Sequence, residues 1–372
     1  MDIDHLNLLR IRIASEIDYI RTHQSNSTDR ISILLNSLAE LMEKIVGVSF
    51  SSIDNASAIK VFKQLTTIET VLEYVKHTST SNLFGEIFSC LRIALEEWSD
   101  ESDKYAMVTG PGNFAFTKFI PEFELEVIIP EYMAPFPVMP ARFNLPSHLE
   151  HDFIGNVALY HELGHFVDDI KSFSDSAYNL YTKNSGALSD EDKKKFLNVF
   201  SGNTNPPTED MLRSYFSEYF ADLFAAQYVG GAQAFALLHS AFGNQFSESH
   251  PSTDSRTTLA YTFLNNKGDG LALVHLFDEA VKNVTKNSMC LANRFQMPDT
   301  LSFKVYKPCN ISNDKELHGI FTSGWCVWLN RAKYFTDCNG KPLDEVSAYK
   351  KLNELIKQSI SNYIAIKKKA TS

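Results

Sequence analysis

The sequence predicts a mainly helical α+β protein, and two observations carry that expectation. Apolar residues recur at steps of three and four through residues 1–100 and again in the second half of the chain, the stripe of an amphipathic helix. Between these regions, over residues 105–129, short apolar segments are punctuated by Pro111, Gly112 and Pro121, as expected of strands joined by turns.

The elements follow in order. Leu6, Leu9, Ile13, Ile17 and Ile20 mark the first helix. Thr28 or Asp29 caps the second, whose stripe runs Ile31, Leu34, Leu35, Leu38, Leu41, Met42 and Ile45 and which Gly47 ends. Two further helical stretches are expected near Ser57–His77 and Ser81–Ser99. None of the four carries chemistry. Packing accounts for them, and the functional expectation for residues 1–100 is control of access or recruitment of a regulatory partner. The polar run Ser99–Lys104 is a boundary. Strands are expected at Tyr105–Thr109, Phe114–Phe119 and Phe123–Ile129, the last a candidate edge for binding substrate as an added strand. Prolines at 135, 137, 140 and 146 make an irregular stretch, and a helix is expected from near Ser147 to about Ile170.

Residues 171–207 are polar and hold one charged helix candidate, Ser189–Phe200. Pro206-Pro207-Thr208 introduces a strong helix over Glu209–Val229, closed by Gly230-Gly231. Helices are expected at 232–242, 251–264 and 269–285. Residues 286–341 read as mixed, and 343–368 as a final helix.

Composition excludes several classes. A chain of 372 residues, 44% apolar and 22% charged, can bury a sizeable core, in two or three domains or in one large domain with a helical extension. Its net charge of −10 argues against a nucleic-acid partner, which would want a basic face. The N-terminus places acids first and interrupts its apolar residues with charge, unlike a signal peptide. No apolar run approaches the roughly 18 residues of a membrane span. Cys90, Cys290, Cys309, Cys326 and Cys338 are odd in number and lack CxxC spacing. They fit reduced thiols of a cytoplasmic protein better than a second metal site.

The chemistry is concentrated in three segments. His161-Glu162-Leu163-Gly164-His165 is an HExxH motif. Four residues are slightly more than one helical turn, so both histidines project from one face and can share a zinc ion, with Glu162 beside them as general base. The motif arises by chance on the order of once in a hundred chains of this length. Val157-Ala158-Leu159-Tyr160 before it and Phe166-Val167 after it make the helix largely buried. Buried histidines and a carboxylate are costly unless paired or liganded; satisfied core histidines are the alternative. About fifty residues on, Glu218 and Asp222 stand one turn apart in Ser217-Glu218-Tyr219-Phe220-Ala221-Asp222. Glu218 supplies a third ligand and Asp222 can fix the tautomer of a ligand histidine, unless the pair is simply a solvated acidic face. The third segment is Ser249-His250-Pro251-Ser252-Thr253-Asp254-Ser255-Arg256. It fits two readings on pattern alone. His250 and Arg256 face the site and stabilise an oxyanion, or they are a helix start and an exposed arginine.

HELGH at 161–165, EYFAD at 218–222 and HPSTDSR at 250–256 together resemble the gluzincin family of the CAAX prenyl proteases and HtpX-type proteases. The resemblance covers about residues 150–260. Ser252 stands where a second proline is common, and the membrane spans of the embedded members are absent. The helical N-terminal region and the last hundred residues have no counterpart in that family; the expected organisation is a helical N-terminal region at 1–100, a zincin-like catalytic domain at 105–285 and a mixed C-terminal region at 286–372. The resemblance implies zinc at His161, His165 and Glu218, Glu162 as base, Asp222 behind a ligand histidine, and His250 and Arg256 as groups that act on the transition state or support the ligands. The expected activity is that of a zinc metalloendopeptidase on a protein or peptide substrate. A non-catalytic interaction protein on a zincin scaffold and a zinc hydrolase of a non-peptide bond are the alternatives. Degenerate zincins usually lose the base or a ligand, and all four residues are present here.

Overall fold

In a computed structural model, the protein is described over residues 3–23, 29–46, 54–80, 85–112, 115–118, 138–146, 149, 152–240, 245–336 and 339–371. It forms two compact units. One comprises Met1–Phe88 and Ser99–Ser147, the other Ser89–Trp98 and His148–Ser372.

The first unit is built on α1 (Ile3–His23), α2 (Asp29–Val46) and α3 (Asn55–Thr80). Their apolar stripes meet in one core, which holds Leu6, Ile13, Leu34, Leu41, Val61 and Leu65. The helix α4 (Gly85–Trp98) contributes its first turn here and its remainder to the second unit. A three-stranded sheet completes the first unit. Strand β3 (Met139–Leu145) is central, parallel to β1 (Tyr105–Pro111) and antiparallel to β2 (Ala115–Lys118). In register, Val108 pairs with Arg142 in one ladder and Phe116 with Phe143 in the other. The expected strand Phe123–Ile129 and the expected helix boundaries at Thr28, Gly47 and Ser147 lie outside the described residues. The proline-rich stretch nevertheless yields β3, with Pro140 in its second position, close to the strand start where a missing N–H is tolerated.

The second unit is helical: α5 (Ala158–Lys171), α6 (Phe173–Lys183), α7 (Asp190–Leu197), α8 (Glu209–Val229), α9 (Ala232–Ser240), α10 (Thr253–Asn265), α11 (Leu271–Val284), α12 (Asp314–Leu329), α13 (Arg331–Tyr334) and α14 (Glu345–Thr371). At its centre lies α8, which buries residues all round from Tyr215 onward, as an interior helix must. The Thr208 side chain accepts the Met211 N–H at 3.3 Å to cap it, and Gly230 closes it at φ +52°, where a side chain would run into Phe295. Phe216, Phe220 and Phe224 carry an aromatic core that includes Trp98, Phe173 and Phe277.

Three elements depart from expectation. The helix expected from Ser147 starts only at Ala158, because residues 155–157 form a 3₁₀ turn whose Gly155 N–H is held by Asp152 Oδ1 at 2.9 Å. The polar stretch after Lys171 hides α6. One of its first N–H groups is satisfied from the preceding helix, with Asp168 Oδ1 accepting from Ser174 N at 2.8 Å. The mixed region contains α12, whose Gly319 is required because the backbone of Gln296 and Met297 crosses directly over it. No described helix is long and apolar enough to cross a membrane. Cys90 and Cys309 are buried and Cys290 is exposed, and among the described residues none of these, nor Cys326, forms a disulfide. Cys338 lies outside the described residues.

Candidate metal centre

The site exists because α5 and α8 pack almost backbone to backbone. A Cβ on Gly164 would lie 2.7 Å from Ala221 Cα and 3.0 Å from the Ala221 carbonyl oxygen. The absent side chain lets the HExxH turn of α5 lie directly on the ExxxD turn of α8. His161, Glu162, Glu218 and Asp222 are buried where the two helices meet.

His161 Nε2 and His165 Nε2 are 3.0 Å apart. Glu218 Oε2 lies 3.4 Å from the first and Glu218 Oε1 3.4 Å from the second. These separations match the edge of a tetrahedron with ligand atoms about 2.0–2.1 Å from its centre, which is roughly 3.3 Å. Among the described residues, this is the one group of three His, Cys, Asp or Glu side chains that could hold a metal ion together. Two further features fit an ion. Glu218 Oε2 is fully buried and accepts no well-aligned hydrogen bond, although Arg256 Nη2 is 3.1 Å away. Two imidazole nitrogens at 3.0 Å repel unless a proton or a cation lies between them.

Asp222, 1% exposed, organises the interior side. Its Oδ1 faces His161 Nδ1 at 3.0 Å and accepts from Gln233 Nε2 at 2.9 Å. Arg256 donates to both its oxygens, from Nε at 2.7 Å and from Nη2 at 2.9 Å. Burial would raise the Asp222 carboxyl, but Arg256 and His161 outweigh it and hold it at about 2. Burial would likewise push His161 down, yet Asp222 and Glu218 raise it to about 10. Burial opposes ionisation of Glu218 too; contacts with His161 and His165 and the charge of Arg256 keep it well below the usual carboxylate range. The site thus sets two ionised carboxylates against one guanidinium and a protonated His161, a proton that a bound cation would have to displace.

Each residue singled out in the sequence has a defined place. His161, His165 and Glu218 converge, and Asp222 stands behind His161. Arg256 is buried on α10 beneath Asp222 and Glu218 and has no exposed face of consequence. His250 precedes α10 on the solvent side, 54% exposed, with Nε2 3.4 Å from Glu218 Oε1. The Ser252 side chain caps α10 by accepting the Ser255 N–H at 3.1 Å. Glu162 is buried at 9% exposure, and among the described residues its carboxylate accepts no hydrogen bond. Gln233, Ser217 and Asp168 were not singled out. Ser217 Oγ lies 3.2 Å from His165 Nδ1, and Asp168 Oδ2 lies 3.4 Å from Ser217 Oγ. The signal for Asp168 was available: it follows His165 by three residues, on the same helix face.

Comparison of the chain with protein families, with curated proteins and with solved structures finds no match.

Proposed function

We propose that this protein is a zinc-dependent peptidase of the gluzincin type, with a zincin-like core and a likeness to the CAAX prenyl and HtpX-type proteases. The observation that carries the reading is the convergence of His161, His165 and Glu218 at 3.0–3.4 Å from two helices about fifty residues apart in sequence. Two imidazoles and one carboxylate are the donor set of a catalytic zinc site that keeps one position open. Zinc bound there would lower the pKa of a water towards about 7 and polarise a scissile carbonyl. Glu162, which accepts no hydrogen bond among the described residues, takes the proton from the attacking water and delivers it to the leaving amine. His250 approaches from solvent and offers an N–H to the developing oxyanion. Arg256 anchors Asp222 and Glu218, so that the ligands keep their places when the charge in the site changes.

The test is elemental analysis of the purified chain with a peptidase assay alongside. The expected result is about one zinc per chain, because three ligands complete one site. His161→Ala and Glu218→Ala should each lose it. Normal zinc content in both variants would sink the assignment.

A further inference from the structure

The two histidines are held by different means. Asp222 faces His161 Nδ1 directly at 3.0 Å. His165 Nδ1 instead meets the hydroxyl of Ser217 at 3.2 Å, and that hydroxyl lies 3.4 Å from Asp168 Oδ2. Asp168 is 7% exposed and already accepts the N–H of Ser174 at 2.8 Å and the Ser174 hydroxyl. A carboxylate ringed by donors acts only as an acceptor, and a serine hydroxyl has one proton to give. Among the described residues, Ser217 has no acceptor for that proton other than Asp168 and His165. The charged carboxylate is the stronger acceptor of the two, and a Ser217 that donates to Asp168 has only its oxygen left with which to accept from His165. In a neutral ring that arrangement puts the His165 proton on Nδ1 and leaves Nε2 bare, beside His161 Nε2 and Glu218 Oε1.

We propose that Ser217 and Asp168 form a relay that locks His165 in its Nδ1–H form and thereby sets how tightly the site holds its metal, an inference that rests on the metal-binding reading above. Both are positioning residues. Asp168 sits one turn beyond His165 on α5, Ser217 sits beside Glu218 on α8, and Ser174 lies in the first turn of α6. The relay therefore ties three helices to the orientation of one ring. An imidazole without such a partner populates both tautomers, and in one of them Nε2 carries a hydrogen where the metal needs a lone pair.

The test is zinc competition against a chromophoric chelator, combined with nitrogen-15 NMR of the His165 ring in the metal-free and zinc-loaded protein. Ser217→Ala keeps the Asp168–Ser174 contacts and so isolates the relay. It should weaken zinc binding about 10–100-fold with little change in the unfolding midpoint, while Ser217→Thr should stay within about 3-fold of wild type. The ring should be Nδ1–H in the wild type and a mixture of tautomers in Ser217→Ala. Zinc affinity in Ser217→Ala within about 3-fold of wild type would overturn the lock. So would an Nε2–H ring in the metal-free wild type, or lost affinity with an unchanged tautomer. If the wild type binds no zinc, the metal reading fails by itself, and the tautomer in the metal-free protein still decides the lock.

Discussion

Arg256 grips Asp222 through two nitrogens, Nε on one carboxylate oxygen at 2.7 Å and Nη2 on the other at 2.9 Å. The guanidinium is thereby committed to the interior of the site, whereas His250 reaches Glu218 from solvent. The two residues of the HPSTDSR segment should accordingly fail in different ways.

Arg256→Ala leaves the buried Asp222 carboxylate without its counter-ion. Removing one partner of a buried pair costs roughly 3–5 kcal/mol. The expected outcome is a lower unfolding midpoint in denaturant together with weakened zinc retention, and only partial recovery in Arg256→Lys, which lacks the planar fork. His250→Ala should retain zinc and stability and lose about 10²–10³ in kcat. An Arg256→Ala protein as stable and as metal-loaded as wild type, slow only in turnover, would place the guanidinium against substrate instead.

Glu162→Gln should keep its metal and its fold and lose peptidase activity by about 10²–10⁴-fold, because the amide cannot take a proton. Turnover of a quenched peptide, measured beside zinc content, checks this. Full activity would mean that the base lies elsewhere.

Gly164 sets the spacing of α5 and α8. Gly164→Ala brings a methyl group to 2.7 Å from Ala221 Cα, a backbone atom that cannot step aside. Overpacking of this kind costs about 1–3 kcal/mol, and here the helices can relieve it only by separating. Stability and zinc affinity should fall together. A variant with normal zinc affinity would show that the helices tolerate the extra width.

His318 gives the protein an acid-sensitive core. It is 1% exposed, with Nδ1 2.8 Å from the Tyr160 hydroxyl and Nε2 unpaired. Burial lowers it to about 3, against about 6.5 in an unfolded chain. Between those values the unfolded chain binds more protons than the folded one, so stability falls as pH drops from about 6.5 to 3 and is unaffected by this group above that window. His318→Asn keeps an acceptor for Tyr160 but does not titrate. Its denaturant midpoint should therefore change less across the window than that of the wild type. Equal slopes would remove His318 as the cause.

The parts legible in the sequence were those that a single helix can announce. The stripes of α1 and α2, the Thr208 start and Gly230 stop of α8, and the four-residue spacings of His161–His165 and Glu218–Asp222 are all local patterns. What was hidden depends on neighbours. The cap of α6 comes from Asp168 on another helix, and Gly319 looks like a helix breaker until the Gln296 backbone is laid across it. Pro140 masks β3, which the pairings with β1 and β2 fix at both sides. Within the site, Gln233 belongs to α9 and Ser217 acts across to α5, so no spacing rule points to either. Asp168 was the exception, one turn beyond His165.

The near-contact of Gly164 and Ala221 also bears on how the second unit comes apart. Two of the prospective ligands sit on α5 and one on α8, and between the helices runs the polar segment that carries α6 and α7. An ion shared by them is a reversible staple across a loop of about fifty residues, and its contribution grows with the logarithm of free metal over its dissociation constant. With zinc in the site, its removal would make it easier for the two helices to part and would tie the lifetime of the folded chain to the supply of metal around it.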